Sequence, residues 1–201
     1  MLRIGLTGGL ATGKSFVADQ LSRLGCRVLR ADDLGHAVLE KGGEAYGPVV
    51  AAFGPEILRP DGEIERKRLA ARVFHDEEKL QLLNSLVHPA VFSREEAWMQ
   101  QVEDADPAAL AVVEAAILVE TGSYRRYHKL ILVVCGEEQQ IERAMARDSI
   151  TREEALARIR RQMPLEEKKK FADYLIDTSR TMEDTILQVE HLYESLRSIS
   201  A

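Results

Sequence analysis

Little in this sequence speaks for a covalent or metal scaffold. Only two cysteines, Cys26 and Cys135, occur in 201 residues. Each falls in or at the end of a stretch that reads as a strand. Two buried, reduced thiols are therefore expected, and neither a disulfide nor a metal centre. An excess of positive charge is missing too: the net charge is −6, which argues against nucleic acid as the main partner. No window is long and apolar enough to span a bilayer, and the first residues lack the apolar run of a signal peptide. No membrane partner is expected, and the expected location is cytoplasmic. Internal repeats, low-complexity segments and linkers long enough to part independent domains are absent from the sequence. What remains is ordinary for a globular chain, 45% hydrophobic and 30% charged, and suits one α/β core with inserted subdomains.

Against that background one stretch organises the rest. Gly8-Gly9-Leu10-Ala11-Thr12-Gly13-Lys14-Ser15 fits the phosphate-binding pattern G-x-x-x-x-G-K-[ST]. Its context fits as well. Leu2 to Thr7 reads as a short apolar strand, and Phe16 to Leu24 as a helix with Val17, Leu21 and Leu24 on one face. Glycines let backbone N–H groups turn inward around phosphate, and the following helix N-terminus adds partial positive charge. Gly8, Gly9, Ala11, Thr12, Gly13, Lys14, Ser15 and Phe16 are the expected nucleotide contacts. Lys14 is expected on the outer phosphates and the Ser15 hydroxyl on Mg²⁺.

The remaining strands read as Cys26–Leu29, Ala109–Glu114, Lys129–Cys135 and Ala172–Asp177. The second runs into Asp32 and Asp33. Ligands of doubly wound α/β folds sit at the carboxyl ends of strands, so one aspartate is placed to take a proton from a substrate hydroxyl. The other reading is an N-cap for a helix starting near Leu34, and one of the pair is expected in that role. Residues 34–105 read as helical, broken at His88-Pro89. Lying between the second and third strands, they look like an inserted domain for the acceptor. Arg66, Lys67, Arg68 and Arg72 offer charge to an anion, although a solvated helix face explains most of them. A lone His88 beside a helix break reads as structural. Glu114 and Glu120 are the acidic residues near the third strand's end, and neither forms the usual apolar-run-then-Asp signature of a metal ligand. Arg143 and Arg147 share a helix face, and Arg158, Arg160 and Arg161 follow after the capping box at Thr151 and Glu154. These helices read either as a lid over a triphosphate or as an ordinary hairpin whose arginines pair with Glu153, Glu154, Glu166 and Glu167.

Taken in order, these stretches resemble the dephospho-CoA kinase family from Arg3 to the last helix. The resemblance rests on Gly5 to Gly9 with Gly13-Lys14-Ser15, Ala31-Asp32, Arg66 to Leu69 with Val73-Phe74, and His88-Pro89. It continues through Ile117 to Glu120, Arg147-Asp148, Gln162-Met163-Pro164 and Ala172 to Asp177. It implies a P-loop NTPase fold: a doubly wound, parallel five-stranded sheet flanked by helices, with an inserted helical substrate domain and a helical lid. The core would span about 1–33, 106–140 and 171–201, the insertion about 34–105 and the lid about 141–170. The implied reaction is ATP-dependent phosphorylation of the ribose 3′-hydroxyl of dephospho-CoA, giving coenzyme A and ADP. Asp32 becomes the expected base, Arg143 and Arg147 the lid arginines, and Arg66 and His88 substrate contacts. Three positions depart from the family pattern: Arg30 replaces an Asp, Ala116 a Pro, and Thr178 an Asn expected beside adenine.

Two rivals stand beside this reading. One is a P-loop kinase acting on a nucleoside monophosphate or sugar acid. The other is a nucleotide-dependent switch, although the guanine-specifying Asn-Lys-x-Asp motif is missing.

Overall fold

The computed structural model describes residues 1–74 and 76–200. The chain begins β1 (Leu2–Gly8), α1 (Lys14–Arg23), β2 (Arg27–Arg30), α2 (Ala31–Ala37), α3 (Tyr46–Phe53) and α4 (Arg66–Val73). The long α5 (Glu77–Ala105) leads to β3 (Leu110–Glu114), β4 (Lys129–Val134), α6 (Glu137–Asp148) and α7 (Arg152–Ile159). A one-turn α8 (Leu165–Lys168), β5 (Tyr174–Asp177) and α9 (Met182–Ser200) complete it. Among the described residues no helix is long and apolar enough to cross a membrane.

Two compact units emerge. The first comprises Met1–Arg30 and Gln101–Ala201, and the second Ala31–Gln100. The first unit is built on a parallel sheet of order β2-β3-β1-β4-β5. β3 is buried at every position, which is why its sequence is a nearly unbroken apolar run, as expected of a parallel strand covered on both faces. On one face Ile4, Leu6, Val112 and Ile131 meet Val17 and Leu21 of α1 and Val189, Leu192 and Leu196 of α9. On the other face a Cβ at Gly5 would press on Leu118, Tyr127 and Leu130 at 3.0 Å. Burial of these side chains stabilises by roughly 1.5–3 kcal/mol each.

The second unit is helical around Val49, Phe53, Ile57, Leu69 and Val91. Two expectations change here. The break at His88-Pro89 is not one: α5 runs unbroken through Pro89. Proline removes one ladder hydrogen bond and disfavours a helix interior by about 3 kcal/mol. Here Leu83, Leu86, Val87, Ala90 and Val91 continue one apolar stripe across it, all packed on the same core. Tertiary burial outweighs the local penalty. Nor is either aspartate of the Asp32-Asp33 pair an N-cap, because α2 begins at Ala31 and holds both in its first turn.

Candidate active site

The phosphate loop leaves β1 at Gly8, where a Cβ would lie 2.6 Å from Thr12 Oγ1 and 2.7 Å from the Val133 carbonyl. Only glycine allows that close passage. Ala11 takes φ +53° and Gly13 φ +88°, left-handed conformations that turn successive amides toward one concavity. Gly13 is the N-cap of α1, no side chain caps the first turn, and no acidic residue lies in it. Its amide donors and positive dipole end are thus available to an anion. Lys14 Nζ folds back over the loop and donates to the Gly9 carbonyl at 2.9 Å.

Ser15 Oγ, at the start of α1, donates to Glu114 Oε1 at 2.8 Å. Glu114 ends β3 and is buried, and its Oε2 has no hydrogen-bond partner. Arg30, where the family pattern has an aspartate, holds its Nε 3.3 Å from that oxygen and its Nη2 2.6 Å from Asp19 Oδ1. A hydroxyl, a buried carboxylate and adjoining phosphate sites form the sparse oxygen set that suits Mg²⁺, which keeps waters and binds through one or two protein groups. No group of three or more acidic, His or Cys ligands competes among the described residues.

Thr178, just after β5, is the hub beside the loop. Its Oγ1 donates to the Thr12 carbonyl at 2.8 Å and accepts from Arg143 Nη1 at 2.9 Å, while Arg143 Nη2 donates to the Thr178 carbonyl at 2.7 Å. Phe16, Gly13, Arg143, Thr178 and Met182 line a cavity of about 210 Å³ next to the α1 N-terminus. A small, largely apolar cavity beside a phosphate loop suits a nucleobase. Cys135 lies in the same neighbourhood. Burial pushes its thiol up, against the opposing pull of Arg143 and a hydrogen bond with Thr178.

Arg147 lies apart from that cavity. It is exposed and gripped by Asp148 through Nε at 2.7 Å and Nη2 at 3.0 Å. Arg158 joins the same carboxylate at 3.1 Å, and the Arg147 hydrogen bond, more than any other influence, holds Asp148 below the usual carboxylate range. Arg152 crosses from α7 to Glu138 of α6 with two hydrogen bonds. Thr151 and Glu154 complete the capping box. Glu166 and Glu167 pair with Lys169 and Lys170 rather than with arginines. The α6–α7 hairpin packs Ile141, Ala144 and Ala155 against Leu10 and Ala11 of the phosphate loop. A cavity of about 500 Å³ opens between the loop at Gly9 and the α7–α8 turn, with Arg160 in its wall.

In the second unit, Asp32 is exposed in the first turn of α2, two residues past the end of β2. Arg66 opens α4 together with Lys67 and Arg68 and without an acidic residue in that turn. Cations at a helix N-terminus oppose the dipole, and Arg68 of this turn is offset by the N-cap residue Glu65, whose Oε2 lies 3.1 Å from the Arg68 Nε. Arg66 also lines a cavity of about 630 Å³, with Lys41, Arg59 and Lys67 and the acids Glu40 and Glu63 in the same wall. His88 lies on α5, its ring 5.8 Å from that of Phe92. Burial lowers its pKa.

Sequence reasoning assigned no partner to Glu114 and no hub role to Thr178, and it passed over Lys168, a lysine with no exposed surface. Glu114 was visible as the acid closing the apolar run. Nothing local marks Lys168.

A parallel sheet of this order, with a phosphate loop after its central strand and a helical hairpin packed on that loop, is the fold of the P-loop kinases. A family model described as dephospho-CoA kinase matches residues 2–184. The dephospho-CoA kinase of Aquifex aeolicus is 44% identical over 98% of both chains. A crystal structure of a Thermus thermophilus protein is 33% identical, covers 96% of both chains and superposes with a TM-score of 0.83. The dephospho-CoA kinase from Campylobacter jejuni is 25% identical with a TM-score of 0.74, covering 99% of this chain and 98% of that one. The chain belongs to the dephospho-CoA kinase family.

Proposed function

We propose that the phosphate loop is the donor half of a kinase site and that Asp32 serves the acceptor. The reaction is the ATP-dependent phosphorylation of the ribose 3′-hydroxyl of dephospho-CoA, giving coenzyme A and ADP, the last step of coenzyme A biosynthesis. The observation that carries the donor half is the Ser15–Glu114 contact at the mouth of an uncapped helix.

In this reading the loop amides from Gly9 to Ser15 hold the phosphates, and Phe16, Arg143 and Thr178 border the base. Mg²⁺, when bound at Ser15 and Glu114, offsets the charge of the phosphate oxygens. Lys14 leaves the Gly9 carbonyl for the outer phosphates. Asp32 accepts the proton of the 3′-hydroxyl as that oxygen attacks the γ-phosphorus in line, a step in which positioning and charge stabilisation do most of the work. Arg66 meets an anionic group of the acceptor, and His88 contributes a neutral, half-buried ring. Arg143 and Arg147 belong to the hairpin that shields the transferring phosphoryl group from water. A cytoplasmic location completes the proposal.

The test is ATP turnover with and without dephospho-CoA, the product being analysed for a 3′-phosphate. ADP release that dephospho-CoA does not stimulate, or that another acceptor stimulates more, overturns the reading.

A further inference from the structure

Lys168 ends α8 with no exposed surface, an uncommon situation for a lysine because its ammonium must find other partners for the water it loses. Its Nζ lies 2.8 Å from Glu120 Oε1 and donates to the carbonyls of Ala116 at 2.9 Å and Gly8 at 3.3 Å. Three acceptors match the three hydrogens of an ammonium group. Gly8 is where β1 becomes the phosphate loop. Ala116 lies two residues beyond Glu114, and its carbonyl also accepts from Thr7 Oγ1 at 3.2 Å.

The carboxylate end of the pair is tied as well. Glu120 Oε1 accepts from the Met163 N–H at 3.1 Å. The neighbouring Gln162 accepts from the Leu10 N–H at 2.8 Å, and the Leu10 carbonyl accepts from Gln140 Nε2 at 2.7 Å. One ion pair, buried at its lysine end and open to solvent at Glu120, therefore joins the base of the phosphate loop, the segment after β3 and the α7–α8 turn, and that turn in turn holds the loop at Leu10. A buried ammonium held by a partly solvated carboxylate is an indifferent source of stability compared with apolar residues of like volume. What they supply here is directional bonding to two carbonyls and one amide, which an apolar pair cannot reproduce.

We infer that Lys168, through Glu120, is a positioning residue for phosphoryl transfer. It sets the height of the phosphate loop relative to the β3 end that carries Glu114 and to the turn that carries Gln162. Its ammonium bonds are made to the chain itself, at Glu120, Ala116 and Gly8. The inference rests on the donor-site reading above.

The test uses the full chain with two variants. Glu120→Gln keeps the shape and an acceptor oxygen but removes the countercharge. The double variant Glu120→Leu/Lys168→Met replaces both charges by apolar side chains, which protects folding. For both, Tm, kcat and the KM for ATP are measured with dephospho-CoA as acceptor. The expected result for the double variant is a Tm close to wild type, a KM for ATP within about threefold, and a kcat lowered by about 30- to 100-fold, the scale of a small misplacement of reacting groups. Glu120→Gln is expected to lower kcat with the same KM pattern. A double variant that keeps both Tm and kcat makes the pair purely structural and overturns the inference. A raised KM at unchanged kcat overturns it too, because binding rather than alignment is then lost. If the double variant does not fold, Glu120→Gln decides in the same terms. Wild-type chain that fails to phosphorylate dephospho-CoA defeats the donor-site reading instead, so the two failures are distinct.

Discussion

Ser15 and Glu114, ninety-nine residues apart, meet through a hydrogen bond of 2.8 Å from Oγ to Oε1. The contact joins the first helix to the end of the apolar strand β3, and it gives the phosphate loop a buried carboxylate whose second oxygen lies 3.3 Å from the Arg30 guanidinium.

Glu114→Gln removes the charge and keeps the shape. The Mg²⁺ concentration for half-maximal turnover is expected to rise about tenfold or more, the usual range when a group supporting a metal is lost. A Mg²⁺ titration at saturating ATP measures it. An unchanged titration curve removes Glu114 from the site.

Asp32→Asn should bind ATP nearly as wild type and turn over about a hundredfold or more slowly, as for loss of a general base. ATP binding by fluorescence titration and steady-state kcat separate the two effects. Near-normal turnover takes Asp32 out of the mechanism.

Thr178→Val cuts the bond to the Thr12 carbonyl and one of two bonds to Arg143. Losing buried hydrogen bonds of about 1–2 kcal/mol predicts a KM for ATP raised about 5- to 30-fold with kcat changed little. An effect confined to kcat argues that Thr178 holds the reacting groups rather than the nucleotide.

Asp148 is held below the usual carboxylate range, first by the Arg147 hydrogen bond. A depressed folded-state pKa means that the pairing stabilises fully above the unfolded value, about pH 4, and is lost as pH falls through the folded one. Comparing Tm of wild type and Asp148→Asn from about pH 6 down to about pH 3 should show a gap that closes on acidification. A gap that widens toward acid contradicts the assignment.

Both cysteines are buried and free, and burial pushes the Cys26 thiol up to about 12 against a weaker pull from Arg197. Since the thiolate is the reactive form, a disulfide-exchange reagent at neutral pH should label neither thiol in the native chain and both after unfolding in urea. Rapid labelling of the folded protein counts against their burial.

The sequence exposed whatever depends on neighbours along the chain. The phosphate loop is set by glycines at fixed offsets, and the five strands by short apolar runs between turn residues. The Thr151–Glu154 capping box is a pairing across three residues, and it forms as expected. Local signals failed where packing outweighed them. Pro89 reads as a helix break, yet its apolar neighbours share one core and α5 passes through it. One aspartate of the Asp32-Asp33 pair reads as a cap, yet α2 starts one residue before the pair and holds both in its first turn.

The sequence by itself, through its local patterns and its family resemblance, therefore determined the fold class, the phosphate loop and the family, and it named the candidate site residues. Which oxygen stands behind Ser15 was left to the tertiary structure. So was the engagement of Thr178 with both Thr12 and Arg143, and the joining of Lys168 and Glu120 beneath the loop. Each of these contacts links residues dozens of positions apart, and buried polar groups choose partners by what the folded sheet brings within about 3 Å. Periodicity and spacing carry no record of that distance.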